Sequence, residues 1–457
     1  MKNSDIEGKK ILVIGMARSG VAAANALSKL GAAVYVQDSK KKEELDAKVV
    51  ADFEKKNIKG YYAETPNSGE ITFDMLVLSP GVPPELDFIK AQKEKGAEIT
   101  GELEIAYRVG KGKYVAITGT NGKTTTTTLT GEIFKAAGRK TEVVGNIGVP
   151  VISASMEADD DTWLVTEASS FQLETVSEFR PVVSALLNLT PDHLNRHKTM
   201  ENYASAKANV FKNQTKDEYF VVNYDDEPSR KIAEGCGATV VPFTRKEKLD
   251  FGAFVSDGRI VIKNEKGETA DICGADELQI PGTHNLENAL AAAAISYFAG
   301  ISPDTIAQVL RSFTGVEHRL EYVDTIKGVR FVNDSKGTNP DSSIKAVEAI
   351  SGKMILIAGG YDKGSEFDEL IAAFGGKVRH MILLGKTAPK IRETAEKMGF
   401  SNITTASDME ECVKKGFELA EEGDTVLLSP ACASWDMYSC FEERGEHFKK
   451  CVAGLEK

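Results

Sequence analysis

Cysteine is scarce and unpatterned. The six residues Cys236, Cys273, Cys412, Cys432, Cys440 and Cys451 include no Cys-x-x-Cys pair, which argues against a zinc site or a disulfide frame and suits a reducing cytoplasm. Cys432, within "SPACAS", reads as a small buried thiol. Long apolar runs are also missing. The most apolar helical stretch, "ALAAAAISYFAG", is too short to span a bilayer, and the start "MKNSDIEGKKILVIG" lacks the apolar core of a secretory signal. There is no surplus of positive charge: 56 Lys+Arg face 68 Asp+Glu, for a net charge of -12. That balance works against nonspecific attraction to nucleic acid or anionic membrane, so any anionic ligand must be held by a local site. No internal repeat or low-complexity tract stands out. What remains is the composition of an ordinary globular protein, 42% hydrophobic and 27% charged. At 457 residues the chain is too long for one compact core, and about three domains are expected.

The most informative stretch is "VAITGTNGKTTTTTLTGEIF". An apolar run, a tight loop and a helical segment follow one another, the layout that turns free backbone N–H groups and a helix N-terminus toward an anion. The loop Gly119-Thr120-Asn121-Gly122-Lys123-Thr124 is shorter than the usual P-loop, because Ile117 stands where the first glycine is expected. It still predicts a phosphate nest, with Lys123 toward the β/γ-phosphates of a nucleotide and the Thr124 hydroxyl toward Mg²⁺.

Around this loop the chain reads as three α/β segments. The first alternates "KILVIG", "VAAANALSKL", "AAVYVQD" and "DMLVLSPG", a βαβ order with a parallel sheet. Its first turn, "GMARSG", has Gly15 and Gly20 but lacks the middle glycine of a dinucleotide fingerprint, while Asp38 ends the second strand where an acidic group often meets a ribose. The second segment opens with the phosphate loop, adds "TWLVTEASS" and "PVVSALLNLTPDH", and includes a hairpin turned at Asp257-Gly258. The third returns to alternating order in "VRFVNDSKGTNP", "KMILIAGGYDKG", "HMILLGK" and "DTVLLSPACAS". The expected domains are 1–107, 108–315 and 316–457. The outer two are Rossmann-like, and the central one is a P-loop-type ATPase with a mainly parallel sheet plus a small antiparallel sheet.

Chemistry-bearing residues gather at predicted strand ends, where open α/β sheets bind ligands. Glu167 follows "TWLVT" and, with Thr124, suits a Mg²⁺ site; a solvated carboxylate is the plain alternative. Asp192-His193 follows "VSALLNLT", and spacing alone leaves His193 balanced between loop anchor and ligand. Lys207, on a predicted helix, reads by itself as a surface lysine. His284, Asn285 and Asn288 open a helix, where asparagine also serves as a cap. Arg319, in "HRLE", sits where it can reach a phosphate. Asp334, Lys336 and Thr338 share one loop, while Lys363 sits in the loop after "ILIAGG" and Ser434 in the one after "VLLSPACA".

Taken together, "GTNGKTT", "GNIG", "TEASSFQLE", "TPDHLNRH", "YASAK", "PGTHNLENALAA", "HRLE", "NDSKGTNP" and "LLSPACASWD" resemble the Mur ligases of bacterial peptidoglycan synthesis, over nearly the whole chain. The resemblance implies an ATP-dependent amide ligase that adds D-glutamate to UDP-N-acetylmuramoyl-L-alanine through an acyl phosphate, as a cytoplasmic monomer. It implies that Gly119 to Thr125, Asn285, Asn288, Arg319 and Asp334 hold ATP, and that Thr124 and Glu167 hold one Mg²⁺. His193 and a carbamylated Lys207 would hold a second Mg²⁺, and Lys336 would lie at the reacting centre. Gly15, Arg18, Ser19, Gly20, Asp38, Ser39, Ser79 and Gly81 would bind the UDP part, with Asn146 positioning substrate near the metals. Thr338, Lys363, Ser434 and Phe441 would form the D-glutamate pocket. His197 and Trp435 depart from the residues common in relatives, and Trp435 lies beside the implied amino-acid pocket. Two other readings remain open on the residues alone: a related ATP-dependent ligase such as a folylpolyglutamate synthetase, and a nonenzymatic nucleotide switch.

Overall fold

The computed structural model describes residues 5–67, 69–362 and 364–455. Lys363 lies outside them. The architecture is α/β and built on three sheets. A five-stranded parallel sheet runs in the order Lys59–Tyr62, Ala33–Asp38, Lys10–Ile14, Met75–Leu78, Glu98–Gly101. Its central strands read "KILVI" and "MLVL", continuous apolar runs that a sheet covered on both faces requires.

The nine-stranded sheet places Thr269–Gly274, Arg259–Lys263, Gly252–Ser256, Thr239–Thr244, Tyr219–Asn223, Val183–Leu186, Lys113–Thr118, Trp163–Glu167 and Thr141–Gly145 side by side. It is parallel except at one end, where the last two pairings are antiparallel. The expected hairpin is there, turning at Asp257 (φ 51°) and Gly258 (φ 75°). The expected small antiparallel sheet is therefore an extension of the parallel one. A six-stranded sheet runs Glu321–Ile326, Val329–Asn333, Thr425–Leu428, Met354–Ala358, Val378–Leu383, Ile403–Thr405, with only the first pair antiparallel.

The chain packs as two compact units. The first contains the residues up to Leu189, Arg196–Asp276 and Glu287–Leu310, and so holds the five- and nine-stranded sheets. The second contains Thr190–Asn195, Glu277–Leu286 and the chain from Arg311 onward, and so holds the six-stranded sheet. Each unit has its own apolar interior: Ile11, Val13, Ala116, Leu164 and Leu186 are among the core residues of the first, and Leu356, Met381, Leu383 and Leu427 among those of the second. No helix among the described residues is long and apolar enough to cross a membrane.

Candidate active site

In the first unit, three neighbouring strands of the large sheet end together. Lys113–Thr118 lies between Val183–Leu186 and Trp163–Glu167, and the register sets Ile117 beside Glu167. The chain beyond Thr118 forms the phosphate loop. Gly119 (φ 152°) and Gly122 (φ 83°) take positive φ, and Gly122 is the residue before the helix Lys123–Ala136. A Cβ on Gly122 would lie 2.3 Å from Asn288 Oδ1, so the turn needs glycine for conformation and for space. Asn188, from the next strand's loop, braces this one: its Oδ1 accepts from Asn121 N at 2.8 Å, and its carbonyl accepts from Thr120 N at 3.0 Å. Lys123 Nζ donates to the Gly119 and Thr120 carbonyls at 2.9 and 2.7 Å, which holds the ammonium across the loop.

The threonines after Lys123 face inward, with Thr124, Thr125, Thr126 and Thr127 all buried. Thr124 Oγ1 donates to Glu167 Oε2 at 2.8 Å, while Asn146 Nδ2 donates to Glu167 Oε1 at 2.7 Å. Glu167 is only 1% exposed. A buried carboxylate and a hydroxyl converging beside a phosphate loop form a hard oxygen donor set, which fits Mg²⁺.

Lys207 is a correction to its reading as a surface lysine. It lies in the helix Met200–Ala208 and is 1% exposed, with Nζ donating to the Gly119 carbonyl at 2.8 Å and lying 4.6 Å from the centre of the Tyr203 ring. Its amine is therefore buried at the phosphate loop rather than solvated.

The turn after the strand Lys10–Ile14 of the five-stranded sheet is also braced by hydrogen bonds. Asp38 Oδ2 accepts from Met16 N at 2.7 Å, and its Oδ1 accepts from Lys40 N at 2.9 Å. Ser79 Oγ donates to the Gly15 carbonyl at 2.9 Å. A Cβ on Gly20 would sit 1.8 Å from the Gly15 oxygen, so glycine is what allows the helix Arg18–Lys29 to start there. Ser19 is half-buried in that first turn, while Arg18, Ser39 and Gly81 are exposed.

In the second unit, Asp334 is fully enclosed. Its Oδ2 accepts from Ser429 Oγ at 2.7 Å, its Oδ1 accepts from Leu320 N at 3.3 Å, and Arg319 Nη1 is 3.9 Å away. Burial pushes its carboxyl up to about 6 against the pull of Arg319 and Ser429. Arg319 sits between two residues of positive φ, His318 (63°) and Leu320 (47°), and donates to Ser342 Oγ at 2.7 Å. Lys336 Nζ lies 4.5 Å from the centre of the Phe441 ring, and the Phe441 carbonyl accepts from Ser335 Oγ. Thr338 is half-buried and Ser434 buried.

Arg444, which no sequence motif singled out, ties these loops together: it is 2% exposed and donates to Ser335 Oγ, the Ser335 carbonyl and the Cys432 carbonyl. His284 is held neutral, its imidazole pushed down to about 3 by burial and by the nearby Arg319 and Lys345. The adjacent Asn285 donates to the Pro281 carbonyl at 2.6 Å. In the first unit, Asn288 Oδ1 accepts from Thr126 Oγ1. His193, with φ 55°, lies in the segment Thr190–Asn195 of the second unit, just before the helix Leu194–His197, and donates its backbone N–H to Asp192 Oδ1.

A phosphate loop with a buried carboxylate beside it, on a mainly parallel α/β scaffold, defines a nucleotide-dependent enzyme. Comparison with known proteins makes the class narrower. Three family models match: a Mur ligase MurD-like N-terminal domain over residues 9–101, the Mur ligase middle domain over 117–296, and the Mur ligase glutamate ligase domain over 318–432. The chain is 53% identical to UDP-N-acetylmuramoylalanine–D-glutamate ligase of Alkaliphilus oremlandii, over 99% of this chain and all of that one. It is 52% identical to the protein of the same name from a Thermoanaerobacter species, again over 99% and 100%. A solved pseudomurein peptide ligase type C from Methanothermus fervidus shares the fold, with a TM-score of 0.62, 18% identity, and coverage of 98% of this chain and 100% of that one. The chain belongs to the Mur ligase family, and it is a ligase.

Proposed function

We propose that this chain joins D-glutamate to UDP-N-acetylmuramoyl-L-alanine with ATP, giving the amide, ADP and phosphate, as a cytoplasmic monomer with functional domains 1–107, 108–315 and 316–457. The observation that carries the reading is the Thr124–Glu167 oxygen pair beside the phosphate loop, in a chain about half identical throughout to relatives bearing that enzyme's name.

The loop residues Gly119 to Thr125 offer N–H groups and the Lys123 ammonium to the phosphates of ATP. Thr124 and Glu167 would hold one Mg²⁺, and His193 and Lys207 a second. An ammonium repels a cation, so Lys207 fits this role only after its amine adds CO₂ and loses a proton, giving a carbamate whose oxygens suit Mg²⁺. When bound, the metals supply charge neutralisation at the transferring phosphoryl group. Asn146 orients the Glu167 carboxylate and stands ready to position substrate. Asn285, Asn288, Arg319 and Asp334 form the remaining nucleotide contacts, with Asp334 on the ribose. The turn of Gly15, Arg18, Ser19 and Gly20, with Asp38, Ser39, Ser79 and Gly81, takes the UDP part.

In the first step an alanyl carboxylate oxygen attacks the γ-phosphorus and ADP leaves. In the second, the D-glutamate nitrogen attacks the acyl carbon, phosphate leaves, and a proton is lost from nitrogen. Lys336, held over Phe441, adds positive charge where the phosphate departs. Thr338, Lys363, Ser434 and Phe441 receive the amino acid, and Lys363 pairs one of its carboxylates.

The test is phosphate release from ATP with Mg²⁺ and UDP-N-acetylmuramoyl-L-alanine, with and without D-glutamate, and with L-glutamate as control. Release that requires D-glutamate is the expected result. Release that ignores D-glutamate, or that needs another amino acid, overturns the substrate assignment. Sedimentation at assay concentration checks the monomer.

A further inference from the structure

The loop that carries His193 is fastened by Asn339 and Asp341, to which the reading of the site assigns no role. Asn339 Nδ2 donates to Asp192 Oδ2 at 3.1 Å, and Thr190 Oγ1 donates to Asp341 Oδ2 at 3.1 Å. Both bonds lie within the second unit. Asp192 in turn accepts from the backbone N–H of His193 at 2.9 Å, and the positive φ of His193 is a conformation that surrounding contacts must enforce. Asn339 and Asp341 open the helix Pro340–Ala349, in which Asn339 is the N-cap, its Oδ1 accepting from Ser342 N at 2.8 Å. Ser342 is the residue whose hydroxyl accepts from Arg319 Nη1. One helical turn thus holds the His193 loop on one side and Arg319 on the other. Asn339 is 6% exposed and Ser342 4%, so the cap bond between them is sheltered from water.

We infer that the first turn of this helix is a positioning element that sets His193 and Arg319 in one frame, with Asn339 as its central positioning residue. The inference rests on the reading of His193 as a metal-binding residue. Asn339 uses its two amide atoms for two tasks: the oxygen caps the helix and the nitrogen holds the His193 loop. A residue that served only the helix would need the oxygen alone.

That division gives the experiment. Asn339→Asp keeps a capping oxygen but removes the N–H donor and sets a carboxylate against Asp192, whereas Asn339→Ala removes both. Asp341→Asn keeps an acceptor for Thr190, and Asp341→Ala does not. The readout is Mn²⁺ binding in the presence of ADP, followed by electron paramagnetic resonance, with KM for ATP, kcat and the melting temperature measured alongside. His193→Ala serves as the reference for loss of the metal site.

Removing a partner that orients a metal ligand typically weakens metal binding about 10–100-fold. Asn339→Asp and Asp341→Ala are therefore expected to weaken His193-dependent Mn²⁺ binding at least about tenfold, while Asp341→Asn stays near wild type and Asn339→Asp, which keeps the cap, melts above Asn339→Ala. Ser342→Ala is expected to raise KM for ATP with little change in Mn²⁺ binding. If His193→Ala removes one of the two Mn²⁺ sites but Asn339→Asp and Asp341→Ala bind as wild type does, the inference is overturned while the metal reading stands. If His193→Ala itself leaves binding unchanged, the metal reading fails and the inference with it.

Discussion

Glu102 offers a test of the interior that is independent of catalysis. It begins the helix Glu102–Val109 directly after the strand Glu98–Gly101 and is fully enclosed. Its Oε1 accepts from Ile152 N at 2.7 Å, at the start of the helix Val151–Glu157, while Oε2 is buried with no hydrogen-bond partner among the described residues. Burial outweighs the backbone bonds and raises its carboxyl from 4.5 to about 7. A carboxyl raised on folding binds more protons in the folded state than in the unfolded state, so stability falls as pH rises from 4.5 through about 7. At ~1.4 kcal/mol per pH unit the full effect is about 3 kcal/mol. Roughly 2 kcal/mol of it falls between about pH 5.5 and about pH 8. Glu102→Gln keeps an acceptor for Ile152 N and cannot ionise. Its buried amide adds a constant to the stability but no slope. Urea denaturation of both proteins across this range should therefore show the wild type losing about 2 kcal/mol relative to the variant as pH rises. Parallel stability curves would show that Glu102 ionises in the fold as readily as in the unfolded chain, with no raised pKa, and would refute the reasoning.

Gly122→Ala forces an L-residue into φ 83° with its Cβ against Asn288 Oδ1; at roughly 1–2 kcal/mol for the left-handed conformation, KM for ATP should rise about tenfold or more, and an unchanged KM would remove the loop from nucleotide binding. Gly445→Ala places a Cβ 2.3 Å from His318 Nδ1, in a ring already bonded to Asn333. Overpacking of this kind costs about 1–3 kcal/mol, measurable as a lower urea midpoint, and wild-type stability would show that the ring has room. The Cys432 thiol is 3% exposed and pushed up to about 11 by burial, so iodoacetamide at about pH 8 should label it only after unfolding, because the thiolate is the reactive form. Rapid labelling of native protein, mapped to Cys432 by peptide analysis, would contradict its burial.

Local rules carried much of the fold. Apolar runs bounded by glycine and polar residues mark the strands Lys113–Thr118, Trp163–Glu167, Met354–Ala358 and Thr425–Leu428, because a strand covered on both faces has no polar face to show. Asp257-Gly258 marks its hairpin because those residues tolerate positive φ. What local rules leave open is which strands are neighbours. The antiparallel end of the large sheet joins its parallel part through Thr239–Thr244 and Gly252–Ser256, a pairing that no turn signal in the sequence announces.

The same division separates the site residues. Gly119, Gly122, Lys123 and Thr124 are legible because one short loop contains all the chemistry of a phosphate nest. Lys207 enters only through the family resemblance, because nothing within its helix distinguishes a lysine that snorkels to water from one whose Nζ ends on the Gly119 carbonyl, 88 residues away in sequence. Arg444 is hidden in the same way, since its three partners come from Ser335 and Cys432 on two distant loops. Asn339 is the instructive intermediate. An asparagine followed by proline announces a helix start, and that explanation is complete within the sequence. Its second bond, to Asp192 147 residues earlier, exists only in three dimensions. A residue whose local role is already accounted for therefore gives no sequence signal of a long-range one, and the two roles separate only when a substitution preserves one amide atom's function and removes the other's.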